Sequence, residues 1–116
     1  GRMEFSFEGI GQVAATFAAA EGLQPGMAVA LTADSTVGLG KAGDAPCGMV
    51  LSTKNGMAAV QISGMAKVGY SGTAPAIGHA TVGVDGNGKI KTVTSGGLGC
   101  LIVSVNTADS TAVIKL

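Results

Sequence analysis

The sequence predicts an all-β domain, a small barrel or sandwich of about nine or ten short strands with little helix. Three observations predict it. Turn signals built on Gly, Pro, Asn and Asp recur about every ten residues, and 20 of the 116 residues are glycine. The stretches between them are short, apolar and alternating, in a chain with many Ala, Val, Ser and Thr. Lastly, Gly43-Asp-Ala-Pro-Cys-Gly-Met-Val-Leu-Ser is echoed by Gly96-Gly-Leu-Gly-Cys-Leu-Ile-Val-Ser, so two similar halves, residues 23–62 and 76–116, are expected to share one core.

Residues 1–11 read as an N-terminal arm and residues 12–116 as one β domain, with Gly1 a candidate cloning remnant ahead of Met3. Met3-Glu-Phe-Ser-Phe-Glu alternates apolar and polar residues, as a strand does or an arm that orders on contact with a partner. Residues 12–20 hold a run of alanines that admits helix. Val13, Ala15 and Phe17 nevertheless alternate, and Gly22 and Pro25 stop the segment, so a strand is expected. Gln24-Pro25-Gly26 is ordered for a type II turn. A strand over 27–31 follows, with Met27, Val29 and Leu31 on one face, and then a short one over 37–41.

Residues 47–53 and 57–62 flank Asn55-Gly56, a strong hairpin signal because both residues tolerate positive φ. A strand over 65–70 leads into a loop with Gly72 and Pro75. Residues 80–84 and 89–94 flank Asp85-Gly-Asn-Gly, a second hairpin, and residues 100–105 and 111–116 flank Asn106-Thr-Ala-Asp-Ser.

Seven basic residues balance seven acidic ones, and only 12% of the chain is charged, so no footprint for nucleic acid or an anionic membrane is visible. The chain is 47% hydrophobic yet has three Phe, one Tyr and no Trp. Few anchors exist for a compact binding hot spot, and extended backbone pairing or a broad apolar face is expected instead of a pocket for a small-molecule substrate. Low charge with positive mean hydropathy also points to apolar surface hidden in an oligomer. No run approaches the ~20 apolar residues of a membrane span, and the start lacks the zones of a secretion signal, so a soluble chain is expected.

Patterns that spell chemistry have simpler readings. Gly38-Leu-Gly-Lys-Ala-Gly43 has the letters of a dinucleotide fingerprint, but Asp44-Ala-Pro46 continues it as a turn where a helix would be needed. Gly83-Val-Asp-Gly-Asn-Gly-Lys89 nearly spells a phosphate loop, but Ile90 stands where Ser or Thr must hold magnesium. His79, the one histidine, follows Gly78 as an exposed loop residue, and neither cysteine lies at zinc-ligand spacing from it. Asp34, Asp44, Asp85 and Asp109 fall in expected turns, where Asp bonds the local backbone. Cys47 and Cys100 read as small buried hydrophobes at similar places in the two halves, with a disulfide as the alternative. The methionines read chiefly as core gap-fillers. No catalytic residue, cofactor or metal is expected.

Leu23-Gln-Pro-Gly-Met-Ala-Val, Gly43-Asp-Ala-Pro-Cys-Gly-Met-Val-Leu and the closing Ala112-Val-Ile-Lys-Leu resemble the small Gly, Ala and Val-rich proteins of phage and prophage head modules, the capsid cement or head decoration proteins. The likeness covers residues 9–116, with a more distant similarity to lambda-type decoration proteins at residues 44–51. Met49 stands where Val or Ile is usual, and the two cysteines lie outside the pattern. The resemblance implies a β-rich virion protein that decorates and stabilises the capsid, binding the major capsid protein on its outer surface as a homotrimer. It also implies an arm that joins the shell, and a soluble life in the host cytoplasm before assembly. Phe5 and Phe7 are then the expected aromatic anchors, with Phe17 a further capsid or oligomer contact. A carbohydrate-binding or adhesion module is the competing class, weakened because Tyr70 is the only Tyr or Trp for stacking a sugar.

Overall fold

The computed structural model describes residues 9–116. Residues 3–8, including Phe5 and Phe7, lie outside the described residues. Ten strands form two five-stranded units: β1 (Val13–Ala19), β2 (Ala28–Ala33), β3 (Thr36–Gly38), β4 (Gly48–Lys54) and β5 (Met57–Ser63), then β6 (Met65–Gly69), β7 (Gly78–Val84), β8 (Ile90–Thr92), β9 (Leu98–Asn106) and β10 (Thr111–Lys115). No helix occurs among the described residues.

The first unit is a closed barrel in the order β1-β3-β2-β4-β5, sealed by a parallel β1–β3 pair at Ala18↔Thr36 and Ala19↔Val37. The second is a sheet in the order β6-β10-β9-β7-β8. Its ends meet at one parallel bridge, Tyr70↔Ile90. Replacing each strand of the first unit by the strand five places later therefore reproduces the pairing order of the second. Even the irregularity repeats: Leu51 is skipped between Val50↔Val60 and Ser52↔Ala59, as Val103 is between Ile102↔Ile114 and Ser104↔Val113. A bulge at the same register bends both hairpins alike.

Register makes Val37, Val50 and Val60 the counterparts of Ile90, Ile102 and Ile114. All six are fully buried. The first set packs with Leu23, Val29 and Ala58 inside the barrel, against half-buried Phe17 and Met27. The second packs with Val68, Tyr70, Val82, Val84, Cys100 and Ala112, and this core also takes in Ala28 and Ala30 from the outer side of β2. One extra methylene at each of three positions gives the second core more bulk for the same strand plan.

Local chemistry explains the turns. Met27 donates its N–H to the Gln24 carbonyl at 3.2 Å, and Gly26 takes the positive φ of 91° that the Pro-Gly order calls for. Asn55 and Gly56, at φ 52° and 74°, make the β4–β5 hairpin. Asp85 Oδ1 accepts from the Asn87 and Lys89 amides at 2.8 and 3.0 Å and so shapes the β7–β8 turn. Burial alone would raise the Asp85 carboxyl, but these donors, the Ser71 hydroxyl and the Lys89 charge outweigh it and hold it below the usual range.

Several expectations need correction. Leu31 is not buried with Val29: it stands 57% exposed at the last regular pair of β2 with β3, just before a register shift between Leu31 and Ala33. The strand expected over 37–41 ends at Gly38, and that over 89–94 at Thr92. His79 lies within β7, exposed, and not in a loop. Both cysteines are free: Cys100 is buried in the second core, while Cys47 is half-buried against the first. Burial pushes both thiols up. Their places are not equivalent, because register matches Cys100 with Gly48.

Candidate binding surface

The candidate surface is built from strand faces. Glu21, Asp34, Asp44, Asp85 and Asp109 all lie between strands, as do Lys41 and Lys89, whereas Lys54, Lys67, Lys91 and Lys115 lie within them. Aspartate competes for its own backbone and so collects in turns, while the long lysine stem crosses a sheet face and keeps its charge in water. Seven large apolar side chains stand exposed among the described residues: Ile10, Val13, Leu31, Met57, Ile62, Ile77 and Leu101. Sequence reasoning anticipated a broad apolar face without locating these residues on it.

One row of residues runs across each unit on its outer side. In the first, Ala28 pairs with Met49 and Met49 with Gln61. In the second, His79 pairs with Leu101 and Leu101 with Lys115. The first row is covered. Ala28 is 1% exposed and sits in the second core, Met49 packs against that core, and Gln61 is 1% exposed. The Gln61 Nε2 donates to the carbonyls of Ser63 and Met65, at 3.1 and 2.9 Å, where β5 hands over to β6. In the second row His79 and Lys115 are exposed, Leu101 is 44% exposed, and Ile77 beside them reaches 65%.

The Ala28 end of the first row meets the β7–β8 end of the second unit. Ala28 donates its N–H to the Gly88 carbonyl at 2.8 Å. Val84 exchanges bonds with Gly43 and Asp44, donating to the Asp44 carbonyl and accepting from the Gly43 amide, both at 2.8 Å. Gly88 has φ 93°, and a Cβ there would come within 2.9 Å of Met27 Cγ, so glycine is required on two counts.

Of the expected contact residues, Phe17 is half-buried against the first core, and Phe5 and Phe7 are outside the described residues. Gly9 and Ile10, counted with the arm, are tied down: Gly9 donates to the Met65 carbonyl and the Met65 amide donates to the Ile10 carbonyl, both at 2.9 Å. Among the described residues no group of three or more His, Cys, Asp or Glu is placed to hold a metal ion. No helix there is long and apolar enough to cross a membrane. Neither a known family description nor a curated protein sequence matches the chain.

Proposed function

We propose that this chain is a structural phage or prophage virion protein that decorates and stabilises the capsid shell by binding the outer surface of the major capsid protein as a trimer. The reading starts from the resemblance carried by residues 23–29, 43–51 and 112–116. The observation that supports it best is that Val13, Leu31, Met57, Ile62 and Leu101 stand exposed on strands that carry no Asp or Glu. A surface of this kind suits many weak, repeated contacts, which a lattice makes strong through multivalency. Phe5 and Phe7 are the proposed aromatic anchors on the shell, where an extended segment can add to a sheet edge.

Co-sedimentation of the full chain with expanded heads of its own phage tests the proposal. Saturable binding at about one copy per capsid subunit is expected. Absence of binding to intact, unoccupied heads would overturn it and make a glycan screen of the adhesion class the next experiment.

A further inference from the structure

We infer that residues 6–8 of the N-terminal arm dock as an antiparallel strand on the outer edge of β6 in the same chain, with Phe7 opposite Lys67 and its ring in a groove between the two units. The inference concerns the free chain and does not rest on the proposed function.

The bonds around Met65 set the register. From Met65 to Gly69, β10 is the one strand paired with β6 among the described residues. Tyr70 donates to the Ser110 carbonyl and Gly64 accepts from the Leu116 amide, both at 2.9 Å, so the even-numbered residues of this stretch turn their main-chain groups toward β10. Met65 and Lys67 turn theirs to the other side. There the Met65 carbonyl accepts the Gly9 amide while the Met65 amide donates to the Ile10 carbonyl, both at 2.9 Å. Two consecutive residues thus oppose one, and the first is a glycine at φ 79°, the bulge that leads into an antiparallel pair. Gly64, at φ 86°, makes room for the crossing, since a Cβ there would come within 2.6 Å of the Ile10 carbonyl oxygen. Continuity of the chain then carries residue 8 past Ala66 and residue 7 opposite Lys67, where its main chain can both donate to the edge and accept from it.

The faces match as well. Ala66 and Val68 are buried and Lys67 is exposed, so a residue paired with Lys67 has its side chain on the outer face. A groove of about 380 Å³ touches Gly9 and Lys67 and has Met49, Leu51 and Met65 in its lining. It exceeds the ~150 Å³ that holds a benzene ring, and thioethers pack well against aromatic edges. Ser6 and Glu8 take the opposite face, on the side where β6 and β8 meet at a single bridge. Pairing stops short of Gly69: the Tyr70↔Ile90 bridge hands the edge to β8, and a Cβ on Gly69 would lie 3.2 Å from Lys89 Cγ. Phe5 is left beyond the seat. The docked arm covers an edge that would otherwise offer itself to other chains, and the sheet edge of any partner must compete for the same main-chain groups.

Amide hydrogen exchange of the full chain tests the seat. The Lys67 amide should be protected, and in G9A, where alanine resists the positive φ, it should exchange about 5- to 30-fold faster. The Tyr70 amide, bonded to Ser110, should not change. An unchanged Lys67 rate in G9A, or a native rate as fast as in an unfolded chain, would overturn the inference. Cross-linking tests the register and the origin of the arm. In a background of C47A and C100A whose folding is checked by circular dichroism, F7C with K67C should form an intrachain disulfide under mild oxidation. F5C with K67C, displaced by two residues, should link much more slowly. Linked dimers in place of the intrachain bond would put the arm on a second copy and overturn the inference, as would equal linkage of the two pairs. None of these readouts involves a capsid, so they stand or fall apart from the proposed function.

Discussion

Ser35 and Gly88 stand at the same corner of the two units, and their carbonyls are put to different uses. In the first unit the Ser35 carbonyl accepts the Ala18 amide at 2.9 Å, which lengthens the β1–β3 seam and closes the barrel. The next bond along is shared by both: Ala20 donates to Val37 at 3.0 Å as Ser71 donates to Ile90 at 2.9 Å. In the second unit, however, the Gly88 carbonyl accepts from Ala28 of the first. One acceptor is diverted from sealing its own unit to joining the two. The shorter seam of the second unit follows, and with it a core that reaches across to Ala28 and Ala30.

This contrast is open to measurement, and the largest effect should come from the cores. Ile102→Ala removes a fully buried side chain from the core that spans both units, and should cost about 2–5 kcal/mol in chemical denaturation. If the second core holds the units together, it should unfold both in one transition. A biphasic curve would separate them. The next effect tests the difference in bulk. Val50→Ile adds a methylene to the closed barrel and should cost about 1–3 kcal/mol. The reciprocal Ile102→Val should cost only about 0.5–1.5 kcal/mol. Equal and small costs would show that the closed unit has slack.

Gly48 sharpens the same point. It is the register counterpart of Cys100, yet a methyl on Gly48 would run into the Gln61 carbonyl and come within 2.9 Å of Val60 Cγ1. Gly48→Ala should therefore be clearly destabilising, whereas Cys100→Ala should cost less, as the measured midpoints of thermal unfolding would show.

The smallest effect is electrostatic. The folded Asp85 carboxyl lies below its unfolded value, so its contribution is present above the unfolded carboxylate range and is lost as pH falls through the lower folded value. Asp85→Ala should remove that acid-side slope from the stability curve and leave neutral-pH folding in place; an unchanged slope would contradict the assignment.

The repeat was legible in residues 43–52 and 96–104 because the same physical parts recur there: glycine, an inward branched residue, Val50 or Ile102, and the Leu-Ser or Val-Ser step at which the strand bulges. Asn55-Gly56 declared its hairpin through residues that accept positive φ at little cost. Other features left no local mark. The β1–β3 seam joins strands across an intervening one by two parallel pairs, and nothing in Ala18 or Thr36 announces it. The equivalence of β1 with β6 rests on alternation alone, since Thr16-Phe17 and Lys67-Val68 share no letters. Alignment by letters set Cys47 against Cys100, while hydrogen-bond register sets Gly48 there. Alternation along β2 groups Leu31 with buried Val29 and gives no sign of its exposure, and the candidate row His79, Leu101 and Lys115 emerges only when three strands are laid side by side.

The diverted carbonyl is the center of this account, and residue-resolved amide hydrogen exchange of the native chain tests it most directly. The Ala18 amide, bonded to Ser35, and the Ala28 amide, bonded to Gly88, should both be protected to about the level of global unfolding. The Gly69 amide, which stands where Ala18 does but whose acceptor has been taken by Ala28, should exchange much faster. Strong protection of Gly69 together with rapid exchange of Ala28 would mean that the second unit closes on itself and that the joint between the units is not made.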